Sequence, residues 1–405
     1  MQVRDSAGFK PPFPTHTSRK YWMIQARITQ FFHIVCERNH RLKTAKHLKS
    51  GYFLRFVRNY VKKKGRMPVS GRIGKRSIVF DTKPAVLGYA AVVGKKEGEG
   101  PLKDRFDRIL EDPYNGEESW EKAETSLIRD SFTLACSKAK LSPFALDAVY
   151  AGDLLNQCVS SAFALKDSGV PYFGLYGACS TMAEALLLAA MSVDAGFAAS
   201  ACAVTGSHFC SAERQYRFPL EYGGQRTPSS QWTVTGAGAV ILGKARGGVR
   251  VSCATPGRIV DAGITDMSNM GAAMAPAAHD TLKAHFADTG RSPQDYDAIF
   301  TGDLGALGHD ILQELFREDG TELGVRYMDC GVLIYELHTQ EVGAGGSGCG
   351  CSASVLAGHI LPAMRDGVWK RVLFAATGAL LSPTSAQQGS SIPGICHALV
   401  LEKED

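Results

Sequence analysis

The residues with the clearest chemical potential are Cys179 and the small residues beside it, at 177–181. An Ala- and Leu-rich run follows at 182–196, and its strong helix formers predict a helix that is apolar on nearly every face and therefore buried. The amino end of a helix carries unpaired backbone N–H groups and a positive partial charge, which favour a thiolate or a bound anion. The sequence therefore indicates that Cys179 is either a nucleophile or part of an anion-binding site. A well-packed buried cysteine without a chemical role is the alternative interpretation.

The elements that must position Cys179 belong to a chain with the composition of a soluble globular protein. Its 405 residues suffice for two domains or for a duplicated one. The 11 cysteines are scattered, without metal-ligand spacing, which indicates a reducing compartment and no disulfide framework. No uncharged apolar run reaches about 18 residues, and no signal peptide is recognisable. We therefore expect no membrane span, no metal and no cofactor.

The formal net charge of +5 conceals two different parts of the chain. Residues 1–66 hold 16 Lys and Arg against 2 Asp and Glu, whereas residues 67–405 hold 29 against 38. A basic stretch with interleaved aromatic residues is typical of an arm that binds anionic lipid or nucleic acid. The other interpretation is a wrongly assigned start, with the native chain beginning at or near Met67. We build no function on this extension and expect no nucleic-acid partner.

From residue 67 onward, the sequence predicts alternating strands and helices. Helical spacing of apolar residues predicts a helix over 117–138, in addition to the buried helix that follows Cys179. Strands are expected at 77–80, 85–93, 146–153, 171–176, 199–205 and 233–242.

The second half of the chain repeats the first. Residues 147–154 match 297–304 at an offset of 150, while 179–180 match 351–352 and 204–206 match 376–378 at an offset of 172. Because order and spacing agree, we predict one half at 67–245 and a second at 246–405. Each half alternates strands with helices, so two helix-covered sheets are expected, with one buried helix from each half between them. This is an α/β fold of five layers, α-β-α-β-α.

A duplicated half with a cysteine ahead of its buried helix resembles the thiolase fold. Residues 176–181 and 235–239 are similar to the nucleophile turn and the glycine-rich strand of chain-initiating β-ketoacyl synthases. Over roughly 75–405, the chain resembles more closely the stage V sporulation protein AD family, which is thiolase-like and belongs to endospore-forming bacteria. This closer resemblance rests on residues 151–157, 177–181, 212–215, 221–225, 263–266, 274–278, 344–349 and 376–384.

The resemblance to condensing enzymes also identifies missing partners. In those enzymes a histidine follows the strand that here ends at Thr301, but this sequence has Asp303 there and no His before His309. The position usually held by Asn or His ahead of the second buried helix lies within a glycine-rich stretch, 345–348. A carboxylate at 303 would oppose thiolate formation. We therefore expect a protein that has lost the condensing chemistry.

The closer resemblance implies a binding role. That family binds pyridine-2,6-dicarboxylate (dipicolinate) and takes part in moving it into the forespore. It works with the membrane proteins of the stage V sporulation A complex. The resemblance therefore implies a peripheral location for this chain, at the cytoplasmic side of the forespore or spore inner membrane. A homodimer is usual for the fold. An acyl-transferring enzyme that uses Cys179, with help from His208, is the alternative, and a scaffold without a ligand is a third.

A binding site for the dicarboxylate can be assembled from candidates in both halves. Backbone N–H groups of Ser180 and Thr181 would hold an anion at the helix start. His208 and Arg214 would pair with carboxylates, although a structural histidine and an ordinary surface ion pair are equally available interpretations. Asp153 and Asp303 occupy equivalent turns, where each is expected either to line the site or to cap its turn. Further candidates are Asn156 and Gln157 as neutral donors, Arg217 as a second cation, and Tyr176, Phe209 or Tyr222 as a stacking face.

Overall fold

A computed structural model describes residues 71–216 and 226–405. The basic extension at 1–66 and two site candidates, Arg217 and Tyr222, lie outside the described residues.

The described part of the chain alternates strands with helices, as the sequence predicts. The strands are β1 Gly71–Ile73, β2 Ser77–Val79, β3 Ala85–Val93, β4 Arg108–Ile109, β5 Ala148–Gly152, β6 Tyr172–Gly174, β7 Ser200–Ser207, β8 Trp232–Thr233, β9 Gly236–Gly243, β10 Gly248–Thr255, β11 Ala298–Thr301, β12 Tyr327–Asp329, β13 Gly346–Ser347, β14 Arg371–Ala379 and β15 Gly394–Glu404. The α-helices are α1 Lys95–Gly98, α2 Trp120–Ala139, α3 Val159–Leu165, α4 Thr181–Asp194, α5 Phe209–Tyr216, α6 Met270–Thr289, α7 Gly305–Glu318, α8 Cys330–Leu333, α9 Cys349–Val355, α10 Leu361–Arg365 and α11 Pro383–Gln387.

The sheet topology shows the duplication directly. In the first half the strand order is β6-β5-β7-β9-β3, and in the second half it is β12-β11-β14-β15-β10. The three strands from β6 to β7, and likewise from β12 to β14, are parallel, and the remaining pairs in each half are antiparallel. Strands β3 and β10 pair only at Ala85 and Arg250, so the two halves form two sheets joined at one corner. The predicted internal repeat is confirmed.

Three apolar clusters separate the layers of the fold. The largest lies between the two sheets and contains Met182 and Leu186 of α4 together with Val355 of α9. A second packs α2 against the outer face of the first sheet, and a third packs α6 and α7 against the outer face of the second. Three helical layers around two sheets give the predicted α-β-α-β-α order.

Two local predictions need correction. The strand expected at 233–242 is two strands, because the chain leaves β8 after Thr233 and joins the main sheet only at Gly236. The second buried helix is interrupted by a π-helical turn at Leu356–Ile360, just before Pro362, whose ring cannot fit a regular helical turn. Among the described residues, no helix combines the length and apolar character needed to cross a membrane.

Candidate functional site

A cavity of about 330 Å³ opens beside Cys179, where the two halves of the fold meet. Its wall is formed by the Cys179 turn, by helix α5, by strands β8 and β13, and by the segments around Met267 and Leu381. The lining residues of importance below are Tyr176, Cys179, Glu213, Tyr216, Gln231 and Ser347. Cys179 itself is 8% exposed, at the inner end of this space.

The turn that carries Cys179 is held by its own hydrogen bonds. Ala178 has a φ of 49°, in the left-handed region that residues with a Cβ rarely adopt. The backbone N–H of Ser180 donates to the Gly177 carbonyl over 3.1 Å, and that of Thr181 donates to the carbonyl of Ala178. Their hydroxyls donate to the same two carbonyls. The expectation of free N–H groups at Ser180 and Thr181 is therefore wrong, because both donors are used within the turn.

The second half of the fold packs directly against this turn through Gly378 of β14. A Cβ added at Gly378 would lie 2.4 Å from the carbonyl oxygen of Gly177 and 2.9 Å from the nitrogen of Ser180. A Cβ atom in a folded protein essentially never comes within 3.0 Å of such atoms. A glycine is required here for the two halves to approach each other, and this approach fixes the position of Cys179.

Asp303 and Ser347 lie beside the Cys179 thiol. The Ser347 hydroxyl lies 3.9 Å from Cys179 Sγ and donates to Asp303 Oδ2 over 3.4 Å. Asp303 also accepts the Gly348 N–H over 2.9 Å and the Thr377 hydroxyl over 2.9 Å. The structure therefore brings together two predicted site residues, Cys179 and Asp303, and adds Ser347 from the glycine-rich stretch.

Burial controls the electrostatics of this group. Desolvation raises the pKa of Asp303 from 3.8 to about 7, although the hydrogen bonds from Cys179 and Gly348 oppose the rise. The pKa of Cys179 is raised well above its ordinary value, first by burial and then by the negative charge of Asp303. Cys179 therefore favours its protonated form, so this arrangement does not generate a thiolate nucleophile.

Asp153 has a different role from its counterpart in the second half. Its carboxylate accepts the backbone N–H groups of Leu155 over 2.9 Å and of Ser161 over 2.7 Å. These bonds cap the turn and the first residues of α3, and Asp153 does not line the cavity. Asn156 and Gln157 are exposed on the same turn and also lie outside the cavity wall. The capping interpretation of Asp153 agrees with this geometry, and the ligand contacts predicted for these three residues do not.

His208 is fully buried, but it does not line the cavity either. Its Nε2 lies 2.8 Å from the Pro113 carbonyl, and its Nδ1 accepts the Cys210 N–H over 3.1 Å. A carbonyl only accepts, so the proton is on Nε2 and both ring nitrogens are used. Burial lowers the pKa of His208, which keeps the ring neutral. The structural interpretation of His208 fits, and a role as a ligand contact or as a partner of Cys179 does not.

Two further candidates, the cation Arg214 and the aromatic ring of Phe209, also make their contacts away from the cavity. Arg214 pairs with Glu121 and lies over the ring of Trp120, away from the cavity. Phe209 stacks on Trp232 with ring centroids 3.7 Å apart and is not part of the cavity wall. Tyr176 does line the cavity, and its hydroxyl lies 2.9 Å from that of Tyr216.

Several lining residues were missed by sequence reasoning. Gln231 immediately precedes strand β8, which pairs with β13. The paired residues Trp232 and Gly346 are 114 positions apart in the sequence. Glu213 and Tyr216 lie one helical turn apart on α5, and Glu213 pairs with Arg226 over 2.6 Å. The sequence motif at 212–215 could have indicated α5, but no local pattern signals Gln231. Within residues 71–216 and 226–405, no cluster of His, Cys, Asp and Glu fits a metal ion.

Known proteins similar to this chain include a sporulation protein and OleA. The family model described as Stage V sporulation protein AD (SpoVAD) matches residues 74–402. The stage V sporulation protein AD of Bacillus subtilis (strain 168) is 44% identical over 330 residues, which are 82% of this chain and 97% of that protein. Two solved structures of OleA from Xanthomonas campestris, one a variant and one bound to cerulenin, are similar with a TM-score of 0.53. They are 12% and 13% identical, and each match covers 80% of this chain and 98% of OleA.

The likeness to OleA, at such low identity, shows the fold alone. It agrees with the two halves and five layers described above, so the predicted duplicated thiolase-like fold is confirmed. The sequence matches carry the family assignment, because they extend over most of the chain. The chain belongs to the stage V sporulation protein AD family.

Proposed function

We propose that this protein binds pyridine-2,6-dicarboxylate in the cavity beside Cys179, without covalent chemistry, for uptake of that acid into the forespore. The main support for the proposal is that the buried carboxyl group of Asp303 interacts with the Cys179 thiol and opposes its ionisation. Membership of a sporulation family supports the biological setting.

The geometry disfavours a condensing reaction. That chemistry needs a thiolate and donors aimed at a developing oxyanion. Beside Cys179 the donors are the Ser347 hydroxyl and a carboxyl group, and the described cavity wall contains no histidine. The nearest histidine that the sequence suggested, His208, is committed to Pro113 and Cys210.

The cavity has the size and lining of a small-molecule site. A volume of about 330 Å³ lies at the small end of the usual range for ligand pockets. Tyr176 offers an aromatic face, while Thr233 and Ser268 offer hydroxyls. In the described wall the charged side chains are acidic, since Glu213 is the charged lining residue and Asp303 lies directly behind Ser347. We therefore infer that the acid is held largely by neutral donors.

Isothermal titration of the purified protein with dipicolinate tests the proposal. Benzene-1,3-dicarboxylate, which lacks the ring nitrogen, and pyridine-2-carboxylate, which lacks one carboxylate, are the ligand controls. A Ser268→Phe variant places a ring at the cavity wall and should abolish binding. Ser142→Phe changes an exposed serine away from the cavity and should not. Absence of binding by the unmodified protein at millimolar dipicolinate would refute the proposal.

The alternative, an acyl-transferring enzyme with Cys179 as nucleophile, is supported by the cysteine at the inner end of the cavity. Intact-mass measurement after incubation with acyl-CoA separates the two functions. We expect no adduct. An acyl mass shift that disappears in Cys179→Ala, but persists in the buried control Cys202→Ala, would establish the enzyme instead.

We further propose a homodimer formed through the β6 edge of the first sheet. Strand β6 ends the described strand order, and its Tyr172 and Phe173 are 37% and 49% exposed. An exposed edge strand with aromatic side chains is a ready surface for pairing with a second copy. Light scattering should give a dimer mass, and Phe173→Lys should shift it to a monomer. A monomeric unmodified protein would refute this assembly.

The membrane partners are also part of the proposal. We place the protein peripherally at the cytoplasmic side of the forespore inner membrane, with the stage V sporulation A membrane proteins. Fractionation of sporulating cells should recover it with membranes only while those proteins are present. Recovery that is independent of them would contradict this location.

A further inference from the structure

Most polar side chains in the wall of the cavity already have a partner inside the protein. The amide nitrogen of Gln231, for example, donates to the backbone carbonyls of Asp303 and Gly346 over 2.7 and 2.8 Å. A ligand that used such a group would have to displace a contact within the fold, which costs free energy. The lining side chains engaged in this way are Tyr176, Cys179, Glu213, Tyr216, Gln231 and Ser347.

Three other polar side chains of the wall are not committed to a neighbour. Thr233, Ser268 and Gln387 line the cavity, and their side chains make no hydrogen bond in the part of the chain that the structure describes. Gln387 is exposed, and the other two are partly exposed, so all three are open to a molecule that enters. They can therefore bind a ligand in place of solvent, without breaking a bond of the fold.

The first two of these side chains stand on backbone that is fixed without a ligand. Thr233 ends strand β8 and is paired with Ser347 of β13. The N–H of Ser268 donates to Asp266 Oδ1 over 2.8 Å, and the next residue, Asn269, caps α6. Because these positions are set by the fold, little backbone has to be ordered when a ligand binds.

The third side chain stands on helix α11. Gln387 is the last residue of this helix, whose first turn is capped by the Ser382 hydroxyl through the N–H of Ser385, over 3.4 Å. The N–H of the following residue, Gln388, returns to the Thr384 carbonyl over 3.2 Å. Gln387 and Ser268 thus come from the second half of the chain, whereas Thr233 comes from the first.

The chemistry of these three groups suits an acid with several acceptor oxygens. A hydroxyl supplies one donor and a side-chain amide supplies two, and none of these donors carries a charge. A carboxylate only accepts, and two carboxylates on one ring offer acceptors in separate places. Donors on three elements of the wall can therefore bind both ends of such a ligand.

We propose that Thr233, Ser268 and Gln387 are specificity-determining residues, whose side chains donate the hydrogen bonds that hold the two carboxylates of the ligand. This inference rests on the proposed function, because it names the groups that recognise the dicarboxylate. It follows that the site distinguishes a dicarboxylate from a monocarboxylate of similar shape, and that this distinction depends on these three side chains.

Gln387 offers the best-matched variant. Gln387→Met keeps the length of the side chain but removes its donors, so titration at pH 8 should show dipicolinate binding more weakly by roughly three- to a hundredfold. Gln388→Met is the control, since Gln388 is the adjacent residue, is equally exposed and lies outside the cavity wall. Its affinity should equal that of the unmodified protein. Equal affinities in all three proteins would overturn the role of Gln387.

The hydroxyl of Thr233 is tested by two substitutions at the same position. Thr233→Val keeps the shape and removes the donor, whereas Thr233→Ser keeps the donor and removes a methyl group. Binding of dipicolinate should be weakened in the first and restored in the second. Loss in both variants would assign the effect to packing and overturn the hydrogen bond. Thr384→Val, at an exposed position outside the cavity wall, should bind as the unmodified protein does.

A comparison of two ligands tests the specificity itself. In 6-methylpyridine-2-carboxylate a methyl group replaces one carboxylate, so the ratio of its affinity to that of dipicolinate measures the contribution of the second carboxylate. The unmodified protein should favour dipicolinate at least tenfold. A variant that combines Thr233→Val, Ser268→Ala and Gln387→Met should lose this preference, because the second carboxylate no longer has donors. A purely structural disturbance would weaken both ligands together and leave the ratio unchanged.

The outcomes of this comparison separate the inference from the proposed function. If dipicolinate binds but the combined variant keeps the preference, or if the unmodified protein shows none, the three side chains do not select the dicarboxylate, although the proposed function stands. If dipicolinate does not bind the unmodified protein, the proposed function fails and this inference fails with it.

Discussion

Asp303 and Cys179, one from each half of the duplicated fold, interact so that the charge of Asp303 opposes ionisation of the thiol. The two residues occupy different positions in their halves: Asp303 follows β11, and Cys179 precedes α4. A basic group at position 303 would stabilise a thiolate, whereas a buried carboxyl stabilises the thiol. Burial and the Asp303 carboxyl together keep Cys179 in its thiol form, so this cavity does not present a thiolate nucleophile.

Removing the charge of Asp303 should make Cys179 more reactive. In Asp303→Asn the repulsion that raises the pKa of Cys179 is lost, so more thiolate is present at pH 8. Each unit by which the pKa falls increases the thiolate fraction about tenfold, and the alkylation rate rises by about three- to fourfold because nucleophilicity falls with the pKa. Peptide-resolved mass spectrometry after iodoacetamide treatment gives the rate at each cysteine. Cys210, which is partly exposed on α5, is the internal control and should react at an unchanged rate. Equal rates at Cys179 in both proteins would contradict the electrostatic account.

The same substitution predicts a change in how stability depends on pH. The pKa of Asp303 is 3.8 ordinarily and about 7 in the fold, so between these values the folded state binds a proton that the unfolded state has lost. This contribution to stability is complete below pH 4 and decreases as the pH rises towards 7. Asp303→Asn lacks the titration, so its unfolding free energy relative to the unmodified protein should rise over this range, by at most on the order of 4 kcal/mol. Urea unfolding at pH 4.5, 6 and 7.5 measures the difference. A difference that does not vary with pH would show that Asp303 titrates normally.

The fold could be predicted from the sequence because its signals are repeated and local. Residues 147–154 and 297–304 are nearly the same string, and both form a strand and the turn after it, around β5 and β11. The apolar run after Cys179 forms α4, displaced by a residue or two from its predicted ends. Periodicity and propensity suffice for such elements.

The site could be predicted only in part, because similar local sequences have different neighbours in the folded protein. Asp153 and Asp303 occupy equivalent turns, yet Asp153 is satisfied by N–H groups of its own segment, whereas Asp303 is satisfied by Thr377 and Gly348. Gln231 faces the cavity through the pairing of β8 with β13, which local sequence does not encode. His208 is at the end of a strand, as expected, but its partner Pro113 is 95 residues away.

The close approach of Gly378 to the Cys179 turn predicts a strong effect of one methyl group. Gly378→Ala would place a Cβ 2.4 Å from the Gly177 carbonyl, which must move, and the turn would move with it. We expect a loss of about 1–3 kcal/mol in unfolding free energy, together with weakened dipicolinate binding. Gly174→Ala is the control, because its Cβ would meet only the end of the Tyr172 side chain, at 3.0 Å. Crystal structures or thermal melts of both variants give the result. Unchanged stability and binding in Gly378→Ala would show that the two halves can separate slightly at no cost.

At His208 a structural role can be tested separately from a binding role, because the residue is buried between Pro113 and Cys210 but does not line the cavity. In His208→Gln at least one of these bonds is lost, so the unfolding free energy at pH 8 should fall by about 1–3 kcal/mol. Burial lowers the pKa of His208 in the fold, so the neutral ring contributes stability above the ordinary value of 6.5 and loses it as the pH falls below that value. The difference between the two proteins should therefore narrow between pH 8 and pH 5. Dipicolinate affinity at pH 8 should not change.

His338→Gln, at an exposed position, is the control and should alter neither the unfolding free energy nor the binding free energy by more than about 0.5 kcal/mol. A loss of binding in His208→Gln without a loss of stability would return His208 to the ligand site.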